Sequence, residues 1–203
     1  MKAKCLMLDI DGVLVDGRPG DRQNWKTSLM EDLGVSPSEL SQAFFKVEWQ
    51  DIVEGRKELM PTLEAALTRM TSPVRAKDLI SYWFEMDSRI VESVLLDVQV
   101  ARKRGMPVFL TTNQEHMRAE YLMQTVGLGR EVDGIVYSAL AGHKKPDREF
   151  FAFAERTAGF APDELLLVDD TPANVEGALA SGWSAVHWNG SEELSAILQR
   201  SMR

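Results

Sequence analysis

Two apolar runs in this 203-residue chain each stop at a pair of aspartates, CLMLDID from Cys5 and LLLVDD from Leu165, and this recurrence restricts the fold more than any other feature. Four or five consecutive apolar residues without alternation suit a strand buried on both faces, as in a parallel sheet covered by helices. PVFLT at 107–111 and GIVYS at 134–138 have the same character, and SAVHW at 184–188 has it more weakly. Helical patterns with start and stop signals lie between them. Asn113 precedes 114–126, which ends at Gly127, and Pro146-Asp147 opens a second helix. Thr171-Pro172 opens a third that Gly182 closes, and Ser191 can cap a fourth. This alternation predicts a doubly wound, Rossmann-like parallel α/β sheet with functional groups at the strand C-termini.

The interval from Gly17 to Gly105 breaks the alternation. Ser36-Pro37-Ser38-Glu39 reads as a capping box with proline in the first turn, and Ser72-Pro73 as a second helix start. Leu40, Phe44 and Val47 recur at helical spacing, as do Leu79, Trp83, Met86 and Ile90, which predicts the core of a small helical bundle. The expected division is an α/β core over 1–16 and 105–203, with an all-helical cap domain over 17–104. Its hinges fall at Gly17-Arg18-Pro19-Gly20 and near Gly105.

Composition narrows the class. At 44% hydrophobic the chain can bury a real core, and its formal net charge of -8 disfavours nucleic acid or an anionic membrane as partner. Cys5 is the single cysteine and lies within an apolar run, so no internal disulfide forms. No segment approaches the ~18 apolar residues of a membrane span. A cytoplasmic enzyme, monomer or homodimer, is expected.

Ionised carboxylates at the end of a core strand repel one another and lose hydration, so they need a cation, hydrogen bonds or a chemical task. The strand ends supply partners: Asp9 and Asp11, then Thr112 and Asn113, then Asp169 and Asp170, with Lys145 in the loop GHKKPD. Clustered carboxylates form a hard-oxygen site suited to Mg²⁺, while a hydroxyl, a lysine and helix N-termini are donors to an anion. The combination suits a phosphate beside Mg²⁺. His116, His143 and His187 lack metal-ligand spacing, and GLG at 127–129 follows a helix rather than a strand.

DIDGVLVD, TTN, KKPD and VDDTPAN, in this order, resemble the four motifs of the haloacid dehalogenase superfamily, and in particular its phosphatases with a helical cap after the first motif. The resemblance implies that Asp9 is the nucleophile, forming an aspartyl-phosphate, and Asp11 the general acid and base. Thr112 and Lys145 would hold phosphoryl oxygens, and Asn113 would contact the substrate beside them. Asp9, the backbone carbonyl of Asp11, and Asp170 would hold Mg²⁺, with Asp169 touching it directly or through water. Asn174 departs from the usual fourth motif. Its reading stays open between an active-site role and a bond to nearby backbone. Asp16 reads as a turn carboxylate.

The expected activity is hydrolysis of a small phosphate monoester, a sugar phosphate or similar metabolite. A phosphomutase is the nearest alternative. A receiver-like phosphoacceptor or a non-catalytic binding domain is a more distant one, and the presence of Asp11 disfavours dehalogenation. Gly55 interrupts the helical pattern at EGRK, 54–57, and the turn there reads either as two solvated surface cations, Arg56 and Lys57, beside Glu54 and Glu58, or as a turn that brings Arg56 to the substrate when the lid closes.

Overall fold

The computed structural model describes residues 3–201. Five strands, β1 (Cys5–Leu8), β2 (Val108–Thr112), β3 (Gly134–Tyr137), β4 (Leu165–Asp169) and β5 (Ser184–His187), form one parallel sheet in the order β3-β2-β1-β4-β5. Alternation assigns each face its own core. Leu6, Leu8, Leu166 and Val168 point into a cluster with Val98, Leu122 and Ile197. Cys5, Met7, Leu165 and Leu167 point the other way, onto Phe150, Phe151 and Trp183. The winding direction reverses on either side of β1, and ligand sites in such sheets lie outside the strand C-termini at that reversal. Leu8 pairs with Val168, so Asp9 and Asp169 emerge side by side there.

Between β1 and β2 the structure is helical. Trp25, Leu29, Phe44, Leu63, Leu79, Trp83 and Phe84 pack in a cluster separate from the sheet. Trp25 stacks on Trp83 with ring centroids 5.2 Å apart. Four details differ from expectation. The last helix of the interval, Glu92–Lys103, buries Val94, Val98 and Ala101 against the sheet cluster, so by packing it belongs with the α/β layer and not with the helical insert. Val47 is exposed, because the π-type turn Ser41–Phe45 adds a residue between Phe44 and the helix Lys46–Val53 and rotates the buried stripe away. Ser36 accepts a hydrogen bond from the Glu39 N–H and caps the helix Pro37–Leu40. The helix expected from Ser72 begins at Ala76, and the C-terminal helix begins at Leu194, beyond Ser191. Among the described residues no helix is long and apolar enough to cross a membrane.

Candidate active site

The carboxylates converge where β1 and β4 end. Oxygens of Asp9, Asp169 and Asp170 lie within 4.8 Å of one another. Asp9 is buried, and its Oδ1 accepts the Ile10 N–H at 2.8 Å and lies 3.0 Å from Lys145 Nζ. Oδ2 has no hydrogen-bond partner among the described residues. Burial raises the Asp9 carboxyl to about 7 against the pull of Lys145, and the charge on Asp169 adds to the rise. Lys145 is itself buried. Burial disfavours its charge, but Asp9 and Asp169 outweigh that and raise its pKa. Its ammonium donates to the Thr111 carbonyl and to Asp169 Oδ2, each at 2.6 Å.

Asp169 and Asp170 are adjacent in sequence but do different things. Asp169 is fully buried and saturated: Oδ1 accepts the Thr171 N–H at 2.9 Å and the Asn174 amide at 3.0 Å, and Oδ2 accepts Lys145. Asp170 faces outward, its pKa raised by burial, and its Oδ1 accepts the Thr171 hydroxyl at 3.2 Å. Gly12 makes room for it. Gly12 has φ +78°, and a Cβ there would stand 2.2 Å from Asp170 Oδ2.

Asp11 sits at the mouth of the site with 53% of its side chain accessible. The protein crowding around it still strips water from its carboxyl and raises the pKa to about 6, while Arg118 pulls it down and Asp87 pushes it up. Asp11 Oδ2 accepts the Gln114 amide at 2.5 Å, and Oδ1 faces the Arg118 guanidinium at 3.9 Å.

A family model for haloacid dehalogenase-like hydrolases matches residues 3–182. This chain belongs to that family. It is 23% identical to fructose-1-phosphate phosphatase YqaB of Escherichia coli, over 89% of this chain and 94% of that one. It is 26% identical to a phosphoglycolate phosphatase of Pseudomonas syringae pv. tomato, over 90% of this chain and 68% of that one. A haloacid dehalogenase family enzyme of Bacteroides thetaiotaomicron, solved with magnesium and inorganic phosphate, has the same fold at TM-score 0.80 and 19% identity, covering 96% of this chain and 98% of that one.

Within this hydrolase the structure brings together Asp9, Asp11, Lys145, Asp169 and Asp170, and places Thr112 buried at the end of β2. Two expected substrate contacts lie elsewhere. Asn113 spends its side chain on the Lys145 loop, accepting the Lys145 N–H at 2.8 Å and donating to the Lys145 carbonyl at 3.0 Å. Arg56 is half-exposed and held by Asp51 at 2.9 Å and by Glu54, because these carboxylates on its own turn are its nearest partners. The turn does dock on the α/β layer: a Cβ on Gly55 would lie 2.4 Å from the Ala139 carbonyl oxygen, and Glu54 Oε1 lies 4.0 Å from Lys144 Nζ.

Sequence reasoning missed Gln114 and Arg118 and left Asn174 undecided. Asn174 lies in the first turn of the helix Pro172–Ala180 and bonds both oxygens of Asp169. Arg118 lies in the five-residue helix His116–Glu120, and its partners are tertiary.

Proposed function

We propose that this hydrolase is a Mg²⁺-dependent phosphatase acting on a small phosphate monoester through an aspartyl-phosphate on Asp9. The observation that carries the reading is the Asp9 carboxylate. Ile10 and Lys145 pin Oδ1, and Oδ2 is left without a partner among the described residues, two residues before a second carboxylate. The donor set fits a hard dication, because Asp9 and Asp170 offer only oxygen and Gly12 is bare where a side chain would displace Asp170. These two residues and the Asp11 carbonyl would hold the ion, with Asp169 behind them because its oxygens are already bonded. Bound there, Mg²⁺ would neutralise phosphoryl charge and keep Asp9 ionised.

Asp9 Oδ2 attacks phosphorus as the ester P–O bond breaks, and Asp11 gives its proton to the departing oxygen. A water then attacks the phosphoryl group, Asp11 takes its proton, and phosphate leaves with Asp9 restored. Lys145 and Thr112 offset negative charge on the phosphoryl oxygens. The helical insert acts as a cap that excludes water and bulky substrates from a buried nucleophile. The similarity to fructose-1-phosphate and phosphoglycolate phosphatases supports metabolites of that size.

The test is release of phosphate from para-nitrophenyl phosphate and from a panel of phosphorylated metabolites. Activity should require Mg²⁺ and disappear in Asp9→Asn. Full activity in chelator, or a phosphoryl group trapped on another residue, would overturn the reading.

A further inference from the structure

Arg118 is a buried guanidinium, 1% exposed, on the α/β layer. It donates to the Phe84 carbonyl at 3.0 Å and to the Asp87 carbonyl. Those carbonyls belong to the last turn and the C-cap of the helix Ala76–Met86 in the cap, where orphan carbonyls and the helix dipole favour a cation. Two carboxylates face the same Nη2 without reaching it, Asp87 Oδ2 at 3.8 Å and Asp11 Oδ1 at 3.9 Å. The rings of Phe84 and Tyr121 cover the guanidinium, with its carbon 5.3 and 5.9 Å from their centroids. Glu115 is occupied by the N–H groups of Met117 and Arg118.

Asp9 is 7% exposed beside the helical insert, so lifting the cap would widen a substrate's access to it. Lifting removes both carbonyls and Asp87 from Arg118 together, because all three belong to the cap. A guanidinium cannot shed its charge, so it takes the nearest anion left on the core. That anion is Asp11, already tethered through Oδ2 to Gln114. We propose that Arg118 is a positioning residue exchanged between the cap and Asp11: with the cap down it is held by the Phe84 and Asp87 carbonyls and stays 3.9 Å from Asp11 Oδ1 without a hydrogen bond to it, and with the cap lifted it pairs closely with Asp11. The acid is thereby disengaged whenever the site is open to water. The inference rests on the reading of Asp11 as general acid for its catalytic consequence, and on geometry alone for the coupling itself.

The coupling is reciprocal, so removing the competitor must strengthen the cap's hold on Arg118. Spin labels on Gln42→Cys in the cap and Gln199→Cys on the C-terminal helix report the opening, and the native Cys5 is fully buried and will not label. Asp11→Asn should raise the closed-to-open ratio by about threefold or more, whereas Asp87→Asn and Arg118→Met should lower it. An unchanged distance distribution in Asp11→Asn, or a shift toward open, overturns the proposal. Asp87→Asn is conservative enough to keep the test decisive if Arg118→Met fails to fold.

Kinetics give the second readout. In Asp87→Asn, single-turnover cleavage of β-glycerol phosphate, whose leaving group needs a proton, should fall ~10-fold relative to para-nitrophenyl phosphate, whose leaving group does not. Equal losses on both would assign Asp87 and Arg118 a merely structural role and refute the exchange. If the unmodified protein hydrolyses neither ester, the phosphatase reading fails, and the label distances still decide the coupling.

Discussion

Gly12 and Asp170 stand so close that no other residue fits at position 12: an added Cβ would lie 2.2 Å from Asp170 Oδ2, and φ is +78°. Gly12→Ala therefore has two effects. The left-handed backbone costs about 1–2 kcal/mol in an L-residue, and the new methyl displaces the outward carboxylate of the pair. Mg²⁺ affinity, measured by titration calorimetry, should fall at least tenfold while the far-ultraviolet spectrum stays native. Unchanged affinity would remove Asp170 from the metal site.

Asp169→Ala and Asp170→Ala should separate stability from metal binding. Loss of Asp169 strands Lys145 and Asn174 in a buried site. Removing one partner of a buried ion pair costs roughly 3–5 kcal/mol, so metal-free urea unfolding should show a large drop. Loss of the outward Asp170 should leave the unfolding midpoint nearly unchanged and weaken Mg²⁺. The reverse pattern would exchange their roles.

The pH dependence follows from Asp9. Its folded-state carboxyl is raised from the ordinary 3.8 to about 7 by burial, so the metal-free fold favours the protonated form, and this group's contribution to stability declines as pH rises from about 4 to about 7. A dication must displace that proton. Mg²⁺ affinity should then rise about tenfold per pH unit through that window and level off above it. Thermal shifts at saturating and zero Mg²⁺ across pH 5 to 9 check this, and a flat response would exclude Asp9 as a ligand.

The sheet and the carboxylates were legible because each rests on a local signal: an unbroken apolar run, buried on both faces, for β1 and β4, and charge at a strand end. The resemblance gave Asp170 to the metal but left open whether Asp169 touches it, since adjacent residues leaving a strand face opposite ways and only the partners show which is buried. Asn113 and Arg56 read as ligand contacts because nothing in the sequence states that one clamps the Lys145 loop and the other pairs with Asp51 and Glu54. Arg118 carries no signal of its own within the expected helix 114–126. Its partners, Phe84, Asp87 and Asp11, come from segments 31 to 107 residues away, which no local pattern encodes.

Gly55 offers the last prediction, and it concerns how the cap seats. The backbone turns there with φ +74°, and a Cβ would meet the Ala139 carbonyl oxygen at 2.4 Å and its carbon at 3.2 Å. Both are backbone atoms of the short helix after β3, so they cannot swing aside as a side chain would. Gly55→Ala should hold the cap off the α/β layer without disturbing the carboxylates beneath it. If the proposed phosphatase depends on a seated cap to exclude water, hydrolysis of its phosphate monoester should fall ~10-fold or more, and Mg²⁺ affinity should change little. Arg56→Ala, one residue later, removes only ion pairs with Asp51 and Glu54 on a half-exposed side chain, and such pairs contribute about 0–1 kcal/mol. Its kcat/KM should stay within about twofold of the unmodified enzyme for metabolites and for para-nitrophenyl phosphate alike. If Arg56→Ala instead proves the more damaging of the two, the arginine reaches the substrate and the turn acts through its side chain, not through its backbone fit.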